Sequence, residues 1–156
     1  MIKKLIRYLN QPKFLRVFLN WYGPYLGAGV KIKQLADDFT SATVEMPLRW
    51  YNKNYVGTHF GGSLYSMVDP FHMLLIMNQL GKDYVVWDKS ANIEFISPGR
   101  GTVSAHFSVT KEQINEIRLQ TASGQKFLPG FEINILDRDG KVVAKVVKTL
   151  YIRQKP

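Results

Sequence analysis

The sequence predicts an α+β protein in which an antiparallel β-sheet wraps around one long central helix, with further helices at the N-terminus. Two observations predict this fold. An apolar run extends from Leu64 to Leu80, and strand-like segments lie on both sides of it along the chain. A run of this length with few polar residues is typical of a buried helix. A chain of 156 residues also has the length of a single domain.

The N-terminal region predicts two short amphipathic helices between residues 2 and 22, separated at Gln11-Pro12, because proline fits the first turn of a helix. Each helix carries basic residues opposite an apolar face. Such a face usually packs on its own domain, but a basic amphipathic helix can also lie on a membrane surface. We therefore assign residues 1–29 to an N-terminal helical segment and residues 30–156 to the main domain, and we leave membrane contact through residues 1–22 open.

Two strands are predicted before the central helix and four after it, because β-branched and aromatic residues recur there between turn sequences. The predicted strands are residues 30–35, 40–47, 84–87 continuing into 91–95, 102–110, 127–136 and 141–152. Residues 97–101 contain a Pro-Gly turn, and residues 137–140 predict a hairpin. A short connecting helix is predicted at residues 111–120.

The composition excludes several kinds of site. The absence of cysteine rules out disulfides, thiolate zinc sites and cysteine nucleophiles, and a reducing cytoplasm is the default location. His59, His72 and His106 lack the spacing of metal ligands, so we expect no metal. The basic N-terminus lacks the continuous apolar segment of a signal peptide. The central apolar run does not predict a membrane span, because it contains Asp69, Pro70, His72 and Asn78.

The positive charge is concentrated at the two ends of the chain. The net charge is +9; residues 1–36 hold seven Lys or Arg and residues 141–156 hold five, with no acid in either segment. This asymmetry indicates an anionic partner, such as a phosphate-bearing substrate or a lipid surface, unless the lysines serve solubility alone. Nucleic acid is not expected as a partner, because no nucleic-acid-binding motif accompanies the charge.

Asp69 is the residue in the predicted central helix that most needs an explanation. An ionised carboxylate among buried apolar residues is costly unless it is paired, and buried acids concentrate at functional sites. The alternative is structural. Asp69-Pro70 is also the sequence of a helix N-cap followed by a first-turn proline, in which case the helix breaks there and Asp69 caps its second half.

The segment from Asn54 to Asp69 reads NYVGTHFGGSLYSMVD. It resembles the active-site stretch of hotdog-fold acyl-CoA thioesterases, specifically the phenylacetyl-CoA thioesterase-like branch and a related uncharacterised bacterial domain family. That branch has Asn, then His-Gly-Gly beginning six residues later, then Asp fifteen residues after the Asn. The corresponding residues here are Asn54, Phe60, Gly61, Gly62 and Asp69. The resemblance covers residues 30–153 and implies a hotdog fold.

The resemblance implies hydrolysis of an acyl thioester, with coenzyme A as part of the substrate and no separate cofactor. Backbone N–H groups of Gly61 and Gly62 would stabilise charge on the thioester oxygen, and the absence of a Cβ lets a substrate approach them. Asp69 would activate water as a base or attack as a nucleophile. Asn54 would orient the water or donate to the carbonyl. On local sequence alone, the glycine pair is equally consistent with a tight entry into the helix.

Further candidate contacts flank this motif. Phe60, His59 and Ser63 surround the glycine pair and are candidate substrate contacts, and Lys89 and Arg100 are candidates for the phosphates of coenzyme A. Phe60 in place of the motif histidine, and a proline directly after the acid, favour an alternative function. In that alternative the protein is a non-catalytic acyl-binding or lipid-binding hotdog protein at a membrane surface. Dehydration of a hydroxyacyl thioester is less favoured, since it usually needs a histidine and acid pair.

The spacing within the motif predicts an assembly. Gly61 and Asp69 would lie about 12 Å apart along one continuous helix, so one chain could not place both around one carbonyl. We therefore expect a homodimer with two shared sites, which the resemblance also implies, and we leave a dimer of dimers open. The sequence does not distinguish coenzyme A from a carrier protein, nor does it give the acyl length.

Overall fold

The computed structural model describes residues 11–156. In this part of the chain six strands form one antiparallel sheet in the order β1-β2-β4-β5-β6-β3. The strands are β1 Lys31–Leu35, β2 Ser41–Pro47, β3 Tyr84–Phe95, β4 Thr102–Ser108, β5 Gly130–Leu136 and β6 Val142–Gln154. The predicted α+β class and antiparallel sheet are confirmed. Strands β1 and β3 form the two edges of the sheet.

Five helices accompany the sheet within the described residues. They are α1 Pro12–Asn20, α2 Gly23–Ala28, α3 Gly61–Ser66, α4 Phe71–Leu80 and α5 Lys111–Thr121. Helix α1 begins at Pro12, as predicted, because the missing proline N–H costs nothing in the first turn. The helix predicted to precede Pro12 lies outside the described residues. Asn20 joins α1 to β1, since its side chain accepts from Ile32 N at 2.8 Å and donates to Ile32 O at 3.2 Å.

The prediction of one continuous helix from Leu64 to Leu80 is wrong. Helix α3 ends at Ser66 and α4 begins at Phe71, because Pro70 has no N–H to continue the ladder and its ring clashes with the preceding turn. Pro70 is the N-cap residue of α4, and no side chain of the described chain caps that helix. The alternative of a broken helix is therefore confirmed, but Asp69 is not its cap. The separation of about 12 Å, which assumed a continuous helix, no longer applies.

The core lies between α4 and the inner face of the sheet. Helix α4 buries five of its ten residues: Phe71, His72, Leu75, Ile76 and Leu80. On the sheet side, alternate residues of each strand point inward, as the period of two requires; on β6 these include Val146, Lys148 and Leu150. A lysine thus occupies a core-facing position. In the described part of the chain, no helix combines the length and apolarity needed to cross a bilayer.

Candidate active site

Asp69 lies in the connection between α3 and α4, with its side chain 43% exposed. Its main chain is held on both sides, because Asp69 N donates to Tyr65 O at 3.2 Å and the Tyr25 hydroxyl donates to Asp69 O. Its carboxylate Oδ1 accepts a hydrogen bond from Lys148 Nζ at 2.8 Å. The predicted acid is therefore accessible on one side and fixed on the other.

Lys148 is fully buried and is shared between two carboxylates. Its Nζ lies 2.8 Å from Asp69 Oδ1 and 2.7 Å from Asp88 Oδ1, on β3. The Tyr65 ring lies beside it, with 5.9 Å between Nζ and the ring centroid. An ammonium in such a place is tolerated only when it is paired, because removing an ion from water costs several kcal/mol.

The charges of this cluster have identifiable causes. Burial by itself would lower the pKa of Lys148, but the hydrogen bonds and charges of Asp69 and Asp88 outweigh it and raise that pKa, so the ammonium persists. Burial raises the pKa of Asp88, against the opposing effect of Lys148. With both carboxylates ionised the cluster carries one net negative charge. Asp69 is the more exposed of the two acids.

A β-bulge places Asp88 next to Lys148. The pairing of β3 with β6 shifts between Asp88 and Ser90, so that Asp88 is opposite Leu150 and Ala91 is opposite Lys148. The extra residue in the bulge is Lys89, which is exposed at the sheet edge. A bulge of this kind redirects a side chain that a regular ladder would place elsewhere.

A cavity of about 530 Å³ lies at the start of α3. Four predicted site residues line it: Asn54, His59, Gly61 and Arg100. Its apolar wall is formed mainly by Val56, Leu64, Phe95, Ile96 and Pro98. The other predicted residues, which are Asp69, Phe60, Gly62, Ser63 and Lys89, are not among its lining residues. One chain therefore does not bring Asp69 and Gly61 into the same cavity.

Aromatic rings cover both glycines. A Cβ on Gly61 would lie 2.8 Å from the Phe95 ring, and one on Gly62 would lie 2.5 Å from the Phe60 ring. Both rings are 57% exposed, so each rests on the glycine backbone from the solvent side. The glycines thus permit close approach to the backbone, and within one chain aromatic side chains occupy that space. Helix α3 has only six residues and, in the described chain, no capping side chain.

Asn54 and His59 shape the loop before α3. The Asn54 amide donates to Thr58 Oγ1 at 2.9 Å and to His59 O at 3.3 Å, and its oxygen accepts from two backbone N–H groups. His59 Nε2 lies 2.9 Å from Gly101 O, and burial lowers the pKa of its ring, which keeps it neutral. Both side chains hold the backbone that frames the cavity.

Two further predicted contacts, Ser63 and Arg100, have contrasting environments. Ser63 is buried within the first turn of α3. Arg100 is exposed beside the cavity, within the turn that joins β3 to β4.

Among the described residues no group of three or more histidines or acids could hold a metal ion.

The sequence matches the model of a family described as a domain of unknown function, DUF4442, over residues 11–152. The chain belongs to the DUF4442 family. No match is found among curated proteins.

Solved structures similar to this DUF4442 protein share its fold. A probable thioesterase of unknown function from Pseudomonas aeruginosa is 19% identical, with 97% of this chain and 95% of that one covered and a TM-score of 0.74. A thioesterase from Haemophilus influenzae is 14% identical, with 92% and 90% covered and a TM-score of 0.67. The PaaI protein of the Escherichia coli phenylacetic acid degradation operon is 17% identical, with 88% and 91% covered and a TM-score of 0.60. The predicted hotdog fold is confirmed.

Sequence reasoning missed four residues of this DUF4442 site: Tyr25, Tyr65, Asp88 and Lys148. A signal for Lys148 was present, because it continues the inward-facing alternation of Val146 and Leu150 on β6. A lysine at such an inward-facing position requires a carboxylate partner in the core. Lys148 belongs to the basic C-terminal segment, so one of those cations serves an internal ion pair rather than an external partner.

Proposed function

We propose that this protein is a thioesterase that hydrolyses an acyl thioester, with Asp69 as the group that acts on water or on the carbonyl carbon. The observation that carries the proposal is the state of Asp69, whose half-exposed carboxylate is fixed by a fully buried ammonium. A carboxylate that is both accessible and oriented suits a general base or a nucleophile. The thioesterase descriptions of proteins with this fold support the same reaction class.

The reaction needs one water and no external oxidant or reductant. Water adds to the thioester carbonyl carbon as its proton passes to Asp69, and the carbonyl oxygen becomes negatively charged. N–H groups of Gly61 and Gly62 would donate to that oxygen. The C–S bond then breaks, the thiolate takes up the proton, and a carboxylic acid is formed.

We propose further that each site is shared by two subunits of a homodimer. Within one chain Asp69 does not line the cavity at Gly61, and a second chain that presents its own Asp69 to this cavity would complete the site. The outer strand β3 supports such an assembly, because it is a sheet edge that exposes Trp87 and Phe95. Exposed apolar residues on an unpaired edge favour association with another chain.

The proposed substrate is an acyl group on coenzyme A. The apolar wall of the cavity suits an acyl chain, and the exposed guanidinium of Arg100 at its border suits a phosphate. Lys89, exposed on the bulge of β3, is a second candidate for phosphate contact. Coenzyme A enters as part of the substrate, and no step requires another cofactor.

Thiol release tests the proposal. The purified protein is incubated with short, medium, long and aryl acyl-CoAs, and free thiol is detected with a disulfide reagent. The chain contains no cysteine, so the protein itself contributes no signal. We expect release above the spontaneous rate for at least one acyl class. Release at the spontaneous rate with every substrate, by a protein shown to be folded, contradicts the proposal.

A second candidate function is attachment to an anionic lipid bilayer through α1. Helix α1 exposes the apolar side chains of Val17 and Phe18, and Trp21, directly after its last residue, is also exposed. Exposed cations on α1 and β1 flank them: Lys13, Arg16, Lys31 and Lys33. No acidic residue occurs between positions 11 and 36. Apolar residues bordered by cations match the acyl and headgroup regions of an anionic membrane.

Sedimentation with vesicles tests this attachment. We expect binding to vesicles that contain phosphatidylglycerol, weaker binding to phosphatidylcholine alone, and loss of binding in a variant with Phe18→Ser and Trp21→Ser. Leu119→Ser removes an equally exposed apolar residue on α5 and serves as the matched control. Equal binding by the double variant and the control contradicts attachment through α1.

A further inference from the structure

The cluster around Lys148 contains one more acid than a simple ion pair needs. Lys148 on β6 contacts Asp69 at 2.8 Å and Asp88 at 2.7 Å, through one carboxylate oxygen of each. Asp69 faces solvent, whereas Asp88 lies deeper, with its side chain 24% exposed. The two acids therefore compete for a single buried ammonium.

The remaining titratable groups around the cluster are neutral. Tyr65 on α3 and Tyr25 on α2 have raised pKa values, first because of burial and also because of the nearby charges. His72 on α4 has a pKa lowered to about 4 by burial and by Lys148. In the described part of the chain, these three side chains on α2, α3 and α4 are therefore uncharged near neutral pH, whereas Lys148, Asp69 and Asp88 form the charged cluster.

We propose that Lys148 and Asp88 are positioning residues that together set the orientation and the basicity of the Asp69 carboxylate. This inference rests on the proposed thioesterase function. Lys148 fixes one oxygen of Asp69 and leaves the exposed side of the carboxylate for the reaction. Asp88 forms an ion pair with the same ammonium. This second pair limits how strongly Lys148 neutralises the charge of Asp69.

Removal of Asp88 and removal of Lys148 change the charge on Asp69 in opposite directions. Without Asp88, the ammonium acts on Asp69 alone, and the carboxylate becomes a weaker proton acceptor. Without Lys148, two carboxylates face each other with no cation between them, and one of them takes up a proton more readily. A purely structural role for the cluster predicts no such opposite shifts in a folded variant.

The pH dependence of kcat/KM for acyl-CoA hydrolysis tests the proposal. We expect the acid limb to move to lower pH in Asp88→Asn and to higher pH in Lys148→Met, each by about one pH unit. Lys145→Met is the matched control, because Lys145 lies on the same strand and pairs with Glu132 on the surface at 3.0 Å. An acid limb that stays at the wild-type pH in folded Asp88→Asn overturns the proposal, as do shifts of both variants in one direction.

A readout without catalysis separates this inference from the proposed function. The carboxyl ¹³C signal of Asp69 in aspartate-labelled protein, assigned with Asp69→Asn, gives its titration midpoint directly. We expect that midpoint to fall in Asp88→Asn. If wild-type protein hydrolyses no thioester and the midpoint still falls, the proposed function fails while the charge coupling stands. A midpoint that does not change in Asp88→Asn overturns the coupling, whatever the activity. If Lys148→Met does not fold, the result for Asp88→Asn alone tests the proposal.

Discussion

Lys148 Nζ lies 2.8 Å from Asp69 Oδ1, although 79 positions of the chain separate the two residues. The contact joins β6, the last strand along the chain, to the connection between α3 and α4. It explains how a carboxylate is maintained beside an apolar core, since its charge is balanced by an ammonium that has no exposure of its own. The stability of this position therefore depends on Lys148, and under the proposed function the reactivity of Asp69 depends on the same group.

The first prediction concerns the stability of the buried pair. Lys148→Met leaves Asp88 and Asp69 without their cation, and we expect a loss of about 3–5 kcal/mol in the free energy of unfolding. Lys145→Met breaks an exposed pair on the same strand and should cost only about 0–1 kcal/mol. Urea denaturation of both variants at pH 7 measures the difference. Equal losses would show that the Lys148 cluster does not stabilise the fold.

The second prediction concerns stability below neutral pH. His72 is stacked on Phe131, with 4.5 Å between ring centroids, and its pKa is lowered to about 4 by burial and then by Lys148. The unfolded state binds the proton more readily, so stability is complete above about pH 6.5 and falls as the pH decreases toward 4. The loss attributable to His72 should approach about 1.4 kcal/mol per pH unit within that window.

His72→Leu isolates this contribution. Its unfolding free energy should fall less steeply between pH 6.5 and pH 4 than that of the wild type, because the group that takes up a proton only on unfolding is gone. Urea denaturation across this range measures both slopes. Parallel curves would contradict the assignment of a buried, neutral His72.

The third prediction tests whether two subunits share a site. Asp69→Asn removes the acid, and Gly61→Val places a side chain where even a Cβ would lie 2.8 Å from Phe95. Each variant alone should be inactive. Refolding the two together should restore about a quarter of wild-type turnover, because half of the dimers then contain one intact site. No recovery in a mixture shown to form mixed dimers would contradict the shared site.

The fourth prediction concerns the phosphates of coenzyme A. Arg100→Ser should raise KM for an acyl-CoA several-fold and leave kcat nearly unchanged, since it removes ground-state binding distant from the reacting bond. With an acyl-N-acetylcysteamine thioester, which lacks the phosphates, the variant should match the wild type. Arg153→Ser, another exposed arginine, is the control. An equal effect on both substrates would show that Arg100 does not contact the phosphates.

Much of the fold was predictable from the sequence, because it depends on local signals. Strand alternation, the Pro12 helix start and the turns around Gly101 and Gly140 all act over a few residues. The break at Pro70 follows from the sequence only as an alternative, because the apolar run continues through the proline and hydrophobic periodicity does not reveal a missing backbone N–H. The structure therefore contains two helices, α3 and α4, where the apolar run predicts one.

The site was less predictable, because its partners come from distant strands. Asp69 is indicated by its place in an apolar run, and the glycine pair by the resemblance to hotdog-fold thioesterases, but Asp88 approaches Lys148 only through a bulge in β3. Asn54 was predicted to assist catalysis, and that role stays a prediction; its side chain holds the loop at Thr58. Sequence patterns identified the acid and missed the cation that pairs with it.

The central claim is that Asp69 carries thioester hydrolysis, and the most direct test is kcat/KM for the best acyl-CoA with Asp69→Asn. Asp37→Asn, which changes an exposed carboxylate before β2, is the control. Both proteins are checked for folding by circular dichroism. We predict a loss of about 10²–10⁴-fold for Asp69→Asn and none for the control. A folded Asp69→Asn protein that turns over like the wild type would contradict the assignment of Asp69 as the catalytic carboxylate.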